Sequence, residues 1–232
     1  MGYTHYWYRE KEIDPHTFER IVKDFKRLLP VFKVLDVKLG NGLGEGKPVI
    51  NNREVIFNGL RNCGHPKNSN LIIPWPAATV KPGVAPNSRQ AVVGSWFAGV
   101  VLNQRVCNGD CSYETFYFPR TMPERYTPVQ PVIYYDLNGR PICHDKQHIG
   151  KYFQFCKTAF RPYDLAVTAF LVIAKHHLGE RILVESDGTI AHWMDAVKLC
   201  QNVLGYGWDF ALNRAEDRWM SGGKDGLRGS LL

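Results

Sequence analysis

Phe153 to Gly188 reads FQFCKTAFRPYDLAVTAFLVIAKHHLGERILVESDG, and the rest of the chain is organised around it. Phe153-Gln154-Phe155 alternates apolar and polar side chains, the period of a strand, and leads into Cys156-Lys157-Thr158. Pro162 suits the first turn of a helix, where a missing N–H costs nothing. From Tyr163 to Leu178 apolar residues cover nearly the whole circumference, as in a helix buried on all sides. Lys175, His176 and His177 suit a helix C-terminus, and Gly179 stands where a left-handed cap would fall. Ile182-Leu183-Val184 is then rich in β-formers and runs into Glu185-Ser186-Asp187-Gly188. Strand, helix and strand in this space is the size of a βαβ unit, which makes the two strands parallel; another sheet order could set them antiparallel.

Asp164, Thr168 and Lys175 interrupt the apolar helix. At about 100° per residue they fall within roughly 40° of one another. The polar stripe they form is either a structural ion pair or solvent-facing line, or one wall of a site.

A chain of 232 residues can bury a full core, and 44% apolar with 22% charged residues is ordinary for a soluble globular protein. The N-terminal GYTHYWYREKE is aromatic and charged rather than a signal-like apolar segment, and no run reaches membrane-spanning length. The expected setting is cytoplasmic, without membrane contact, where cysteines are free or metal-bound rather than paired as disulfides. A formal net charge of +7 permits anionic partners, a small molecule or nucleic acid, but the excess is spread thinly rather than in basic blocks.

Gly2 to Tyr8 reads as an aromatic strand with Tyr3, His5 and Trp7 on one face; His5 there is expected to be a hydrogen-bonded core residue rather than a ligand or base. Asp14-Pro15 starts an amphipathic helix carrying Phe18, Ile21, Val22, Phe25, Leu28 and Leu29 on one stripe. Leu39 to Pro48 is glycine-rich, but a proline and a strand-like Glu54–Asn58 follow it. It therefore reads as a hairpin connection and not a phosphate loop. Tyr113 to Arg120 is a strand, Asn138-Gly139 centres a hairpin, and His192 to Leu204 is a third helix stopped by Gly205. Tyr206 to Leu212 reads as a last short strand, and Asp217 to Leu232 as a loose tail.

Residues 61–110 are rich in Pro, Asn and Gly, with only Ala91 to Leu102 strand-like. Such an insertion has little apolar surface with which to order itself. Cys63 and His65 stand where it begins, Cys107 and Cys111 where it ends, four ligands of the types zinc prefers, though neither half has a standard finger spacing. Structural zinc is the candidate cofactor, the alternative being free cysteines and a surface histidine; Cys143, His144 and His148 form a weaker competing set.

Candidate chemistry gathers where strand meets helix. Glu114 lies on the face of Phe116 and Phe118, where a carboxylate is either paired or raised in pKa, as an acid or base would be. Glu114, Cys156 and Asp164 are the candidate catalytic residues, with Cys156 also readable as an inert core thiol. Arg120, Lys157, Arg161 and Lys175 are the candidate anion-binding residues.

GYTHYW, ETFxFPR, FCKTxxxPYD, AKHHLG, SDG and LGYG together resemble a family of uncharacterised proteins of bacteriophages and bacteria. The resemblance covers the N-terminal strand and helix and most of residues 113–212, and leaves residues 61–109 outside. It implies a phage or prophage setting, hence host cytoplasm, and transfers no activity or site residue.

The expected fold is α+β or α/β: a single domain with one mixed sheet, three helices near residues 15–30, 162–178 and 190–204, a loop-rich insertion and a tail. The expected function is an accessory protein that binds or processes a phosphate-bearing ligand, nucleotide or nucleic acid, around residues 156–164. The alternative is a non-catalytic structural or interaction protein.

Overall fold

The computed structural model describes residues 3–67, 69–72 and 104–213, so the expected strand at 91–102 and the tail lie outside it. The α+β class holds. Strand β1 (Thr4–Arg9) leads to helix α1 (Pro15–Val34), short strands β2 (Leu39–Gly40) and β3 (Val49–Ile50), and β4 (Glu54–Gly59). Strands β5 (Ser69–Ile72), β6 (Gln104–Cys107), β7 (Phe116–Pro119), β8 (Val132–Tyr135), β9 (Pro141–Cys143) and β10 (Tyr152–Lys157) follow. The chain then runs through α2 (Asp164–Leu178), β11 (Ile182–Ser186) and α3 (Ile190–Leu204).

Helix α1 begins as its caps dictate: Asp14 accepts the Thr17 N–H at 2.8 Å and Pro15 follows. It runs past the expected end, through Pro30, because Val31 and Phe32 are still buried and Pro30 removes only one helical hydrogen bond. Helix α2 is buried along its length from Asp164 to Ala174, as its all-round apolar sequence requires. Phe170 of α2 meets Phe25 of α1 edge-on, ring centres 5.1 Å apart, and also meets Phe116 and Phe118 of β7. Helix α3 starts at Thr189, whose N–H bonds His192 Nδ1 at 3.2 Å, and ends at Gly205 in the left-handed conformation.

The central unit is a split one. Strands β10 and β11 both pair antiparallel with β1, in the order β10-β1-β11. They therefore run parallel to each other, joined by α2, with the N-terminal strand between them. That register sets His5 opposite both Cys156 and Ser186.

The expected single mixed sheet is divided. Among the described residues every strand pair is antiparallel, with β4 pairing β2, β3 and β7, and separate ribbons β5-β6 and β8-β9. The β4 group and the β1 group adjoin at β7 and β10 but are joined there partly by side chains. Glu114 Oε2 accepts the Lys157 N–H at 2.7 Å, and the Gln154 amide donates to the Tyr117 carbonyl at 3.1 Å. Side chains thus replace ladder bonds, and one sheet becomes two. The strand expected at residues 113–120 shortens to Phe116–Pro119 for the same reason. Residues 206–212 form no strand: Asn213 alone bonds β11, accepting the Val184 N–H on its side chain at 2.9 Å and donating its own N–H to the Val184 carbonyl at 2.8 Å.

Candidate metal centre and a buried polar cluster

The segment leaving β4 carries Cys63 and His65, and β6 carries Cys107 into a turn that ends at Cys111. Gly109, at φ +81°, takes the left-handed conformation that turns Cys111 back toward Cys107. Cys111 is tied to the first segment by its N–H, which donates to the Leu60 carbonyl at 3.2 Å. Its own carbonyl passes so close over Gly59 that any side chain there would overlap it.

The result brings one ligand atom from each of Cys63, His65, Cys107 and Cys111 within 4.8 Å of one another, a group able to hold a metal ion. Among the described residues it is the one such group. Cys63 Sγ lies 3.6 Å from Cys107 Sγ, Cys107 Sγ lies 3.3 Å from Cys111 Sγ, and His65 Nδ1 lies 3.1 Å from Cys111 Sγ. Tetrahedral zinc with bonds of about 2.3 Å to sulfur needs sulfur atoms roughly 3.8 Å apart, so the observed edges are slightly contracted. A disulfide needs about 2.05 Å, and no pair approaches that.

The far side of the imidazole supports the same reading. His65 Nε2 lies 2.9 Å from Asp36 Oδ2, so the carboxylate accepts a hydrogen bond from Nε2–H and the Nδ1 lone pair is left aimed among the thiols. Asp36 is itself held at φ +58°, and Lys38 Nζ sits 3.3 Å from Asp36 Oδ1 and donates to the Cys63 carbonyl at 2.5 Å. Burial raises the Cys63 thiol pKa, but hydrogen bonds from the His65 backbone and the neighbouring thiols outweigh it and hold the value below normal. Burial pushes Cys111 up, and the two adjacent thiols add to the rise. Three crowded sulfurs cannot all ionise without a cation among them.

The competing set does not assemble. His148 stacks on Tyr8 at 3.9 Å between ring centres and bonds Glu185 Oε1 at 2.7 Å. Glu114, Cys156 and Lys157 adjoin one another, but the candidate catalytic and anion-binding residues do not gather as one set, Lys175 lying at the far end of α2. Cys156 is fully buried, burial pushes its thiol pKa up, and its Sγ faces the Glu114 carbonyl at 3.5 Å. Glu114 is engaged by the Lys157 backbone N–H. The Lys157 ammonium lies 5.8 Å from the Tyr113 ring centre, and Arg161 donates to the Asp110 carbonyl at 3.1 Å. Arg120 follows the last residue of β7, its N–H bonded to the Arg53 carbonyl at 2.7 Å. Lys175 stands at the opposite end of α2, donating to the Ile182 carbonyl at 3.0 Å and 3.6 Å from Glu180. Thr168 returns its hydroxyl to its own helix, to the Asp164 carbonyl at 2.8 Å.

Asp164 instead joins a buried cluster that the sequence reading did not anticipate. Its Oδ1 takes His5 Nε2 at 2.7 Å and the Thr158 hydroxyl at 2.6 Å, and its Oδ2 lies 3.2 Å from Arg105 Nε. Arg105 also reaches Asp195 Oδ2 at 3.3 Å and stacks over Phe160 at 4.4 Å. Burial opposes ionisation of Asp164, but His5, Arg105 and Thr158 outweigh it and hold its pKa below normal. Burial raises Asp195 to about 6. GYTHYW, FCKTxxxPYD and SDG, separate in sequence, meet here as His5, Thr158, Asp164 and Ser186.

Comparison with family models, curated proteins and solved structures finds no match for this chain. Among the described residues no helix is long and apolar enough to cross a membrane.

Proposed function

We propose that this is a zinc-binding protein in which Cys63, His65, Cys107 and Cys111 hold one structural Zn²⁺ ion. The observation that carries the reading is His65, set between the Cys111 sulfur at 3.1 Å and the Asp36 carboxylate at 2.9 Å. A carboxylate behind a ligating imidazole is the usual outer support of a zinc histidine. Three thiolates and one imidazole favour zinc over the hard oxygen-seeking cations, and four protein ligands leave no position open for substrate. The ion's task is therefore to hold structure. It clamps the two ends of the 61–110 excursion to each other beneath Gly59, and fixes β6 so that Arg105, two residues before Cys107, reaches the core.

Elemental analysis of protein purified without chelator tests this. About one zinc per chain is expected, lost in Cys107→Ser and Cys111→Ser. Metal-free protein with unchanged stability would refute it.

A further inference from the structure

Beyond the metal site, one arrangement in the central unit has the form of a reaction centre. We propose that Ser186, His5 and Asp164 are the nucleophile, base and orienting group of an acyl-transfer site that hydrolyses neutral carboxylic esters.

Ser186 Oγ lies 3.0 Å from His5 Nδ1, and His5 Nε2 lies 2.7 Å from Asp164 Oδ1. Asp164, bound also by Thr158 and Arg105, is an acceptor toward the ring, so Nε2 carries the proton and Nδ1 presents its lone pair to the serine. The imidazole cannot turn away. It is fully buried, with the Tyr3 ring 4.9 Å and the Trp193 ring 4.8 Å from its centre, both edge-on. The three side chains come from three elements, and the β1 register places His5 opposite Ser186.

Ser186 alone of the three is partly exposed, and it lines a cavity of about 600 Å³ with Tyr6, Ile190, Phe210, Leu212 and Asn213. The Gly188 N–H donates to Ser186 Oγ at 3.0 Å, and the hydroxyl also lies 3.4 Å from the Thr4 carbonyl, so its position is fixed beside His5. Ile190 is the first residue of α3; Thr189 caps the His192 N–H, so the Ile190 and Ala191 N–H groups are those left without a partner inside the helix. They offer the positive pole an oxyanion needs. Apolar Ile190, Phe210 and Leu212 suit an acyl chain, while Glu185 and Asp187 beside the serine repel anionic substrates.

In the first half-reaction Ser186 Oγ bonds to the ester carbonyl carbon as its proton passes to His5 Nδ1. The carbon–alkoxide bond then breaks, and the leaving oxygen takes that proton. In the second half water attacks the acyl-serine, gives its proton to Nδ1, and releases the acid as Oγ recovers the proton. Asp164 is a positioning residue: it touches the imidazole and not the substrate.

The test uses the zinc-replete full chain, a fluorophosphonate probe and p-nitrophenyl butyrate. The expected result is a single covalent adduct, mapped by peptide mass spectrometry to Ser186, and ester hydrolysis that falls about a hundredfold or more in Ser186→Ala. Ser186→Ala removes a partly exposed hydroxyl, and circular dichroism establishes that it folds. Asp164→Asn, where it folds, lowers kcat with KM unchanged, which a merely structural role would not produce. A folded wild-type protein that takes no adduct, an adduct elsewhere, or hydrolysis retained in Ser186→Ala would overturn the proposal.

Discussion

Arg105 and Asp164 form a fully buried ion pair, Nε to Oδ2 at 3.2 Å, that joins the strand leading into the cysteine cluster to the helix at the centre of the fold. Taking two charges out of water is costly, and removing one partner leaves the other uncompensated. Arg105 is shared between Asp164 and Asp195, so its loss takes a cation from two buried carboxylates at once. Arg105→Met is expected to destabilise the protein by about 3–5 kcal/mol, read from urea denaturation. Arg105→Lys should not restore stability, because a single ammonium cannot span both carboxylates and stack on Phe160.

Metal removal should act at a distance through the same pair. Chelation is expected to lower the melting temperature and to increase hydrogen exchange in α2 near Asp164 as well as in residues 104–111. Asp36→Ala leaves all four ligands but removes the support of His65, and should weaken zinc affinity by about ten- to a hundredfold in competition with a chromophoric chelator.

Asp195 gives a pH dependence of definite sign. Burial raises its folded-state pKa to about 6, above its unfolded value of 3.8. Between those values the folded chain holds a proton that the unfolded chain has released, so stability falls as pH rises through the window. At 1.36 kcal/mol per pKa unit the contribution is about 3 kcal/mol. Asp164, whose pKa is lowered, acts in the opposite sense and below that window, losing its contribution as pH falls. Asp195→Asn should therefore show a smaller fall in stability between about pH 4 and pH 6.5 than the wild type, measured by urea denaturation at a series of pH values.

Thiol reactivity should follow burial. Cys156 and Cys200 are buried with raised pKa values, whereas Cys143 is exposed. Iodoacetamide is expected to modify Cys143 in the native protein and to reach Cys156 and Cys200 only on unfolding, as read by peptide mass spectrometry.

What was legible in the sequence is what local periodicity and capping report. The burial of α2, the stripe of α1 and the bounds of α3 all follow from residue order alone. The Cys63, His65, Cys107 and Cys111 cluster was legible because metal-holding groups use few residue types. The sheet order was not, because β1 enters between β10 and β11 from the far end of the chain. Arg105 was hidden for a related reason: it lies in the stretch with least periodicity, and only the tertiary fold brings it to Asp164. The partner of Glu114 was not legible: Phe116 and Phe118 mark its face, but its carboxylate takes the place of a strand bond to Lys157, a contact set by the meeting of two strands.

The most direct test of the account is X-ray absorption at the zinc edge on the purified full-length protein. The predicted first shell is three sulfurs at about 2.3 Å and one nitrogen at about 2.0–2.1 Å, becoming two sulfurs with one nitrogen in any metal retained by Cys111→Ser. A shell dominated by oxygen, or one unchanged by that substitution, would contradict the assignment of Cys63, His65, Cys107 and Cys111 as the metal centre.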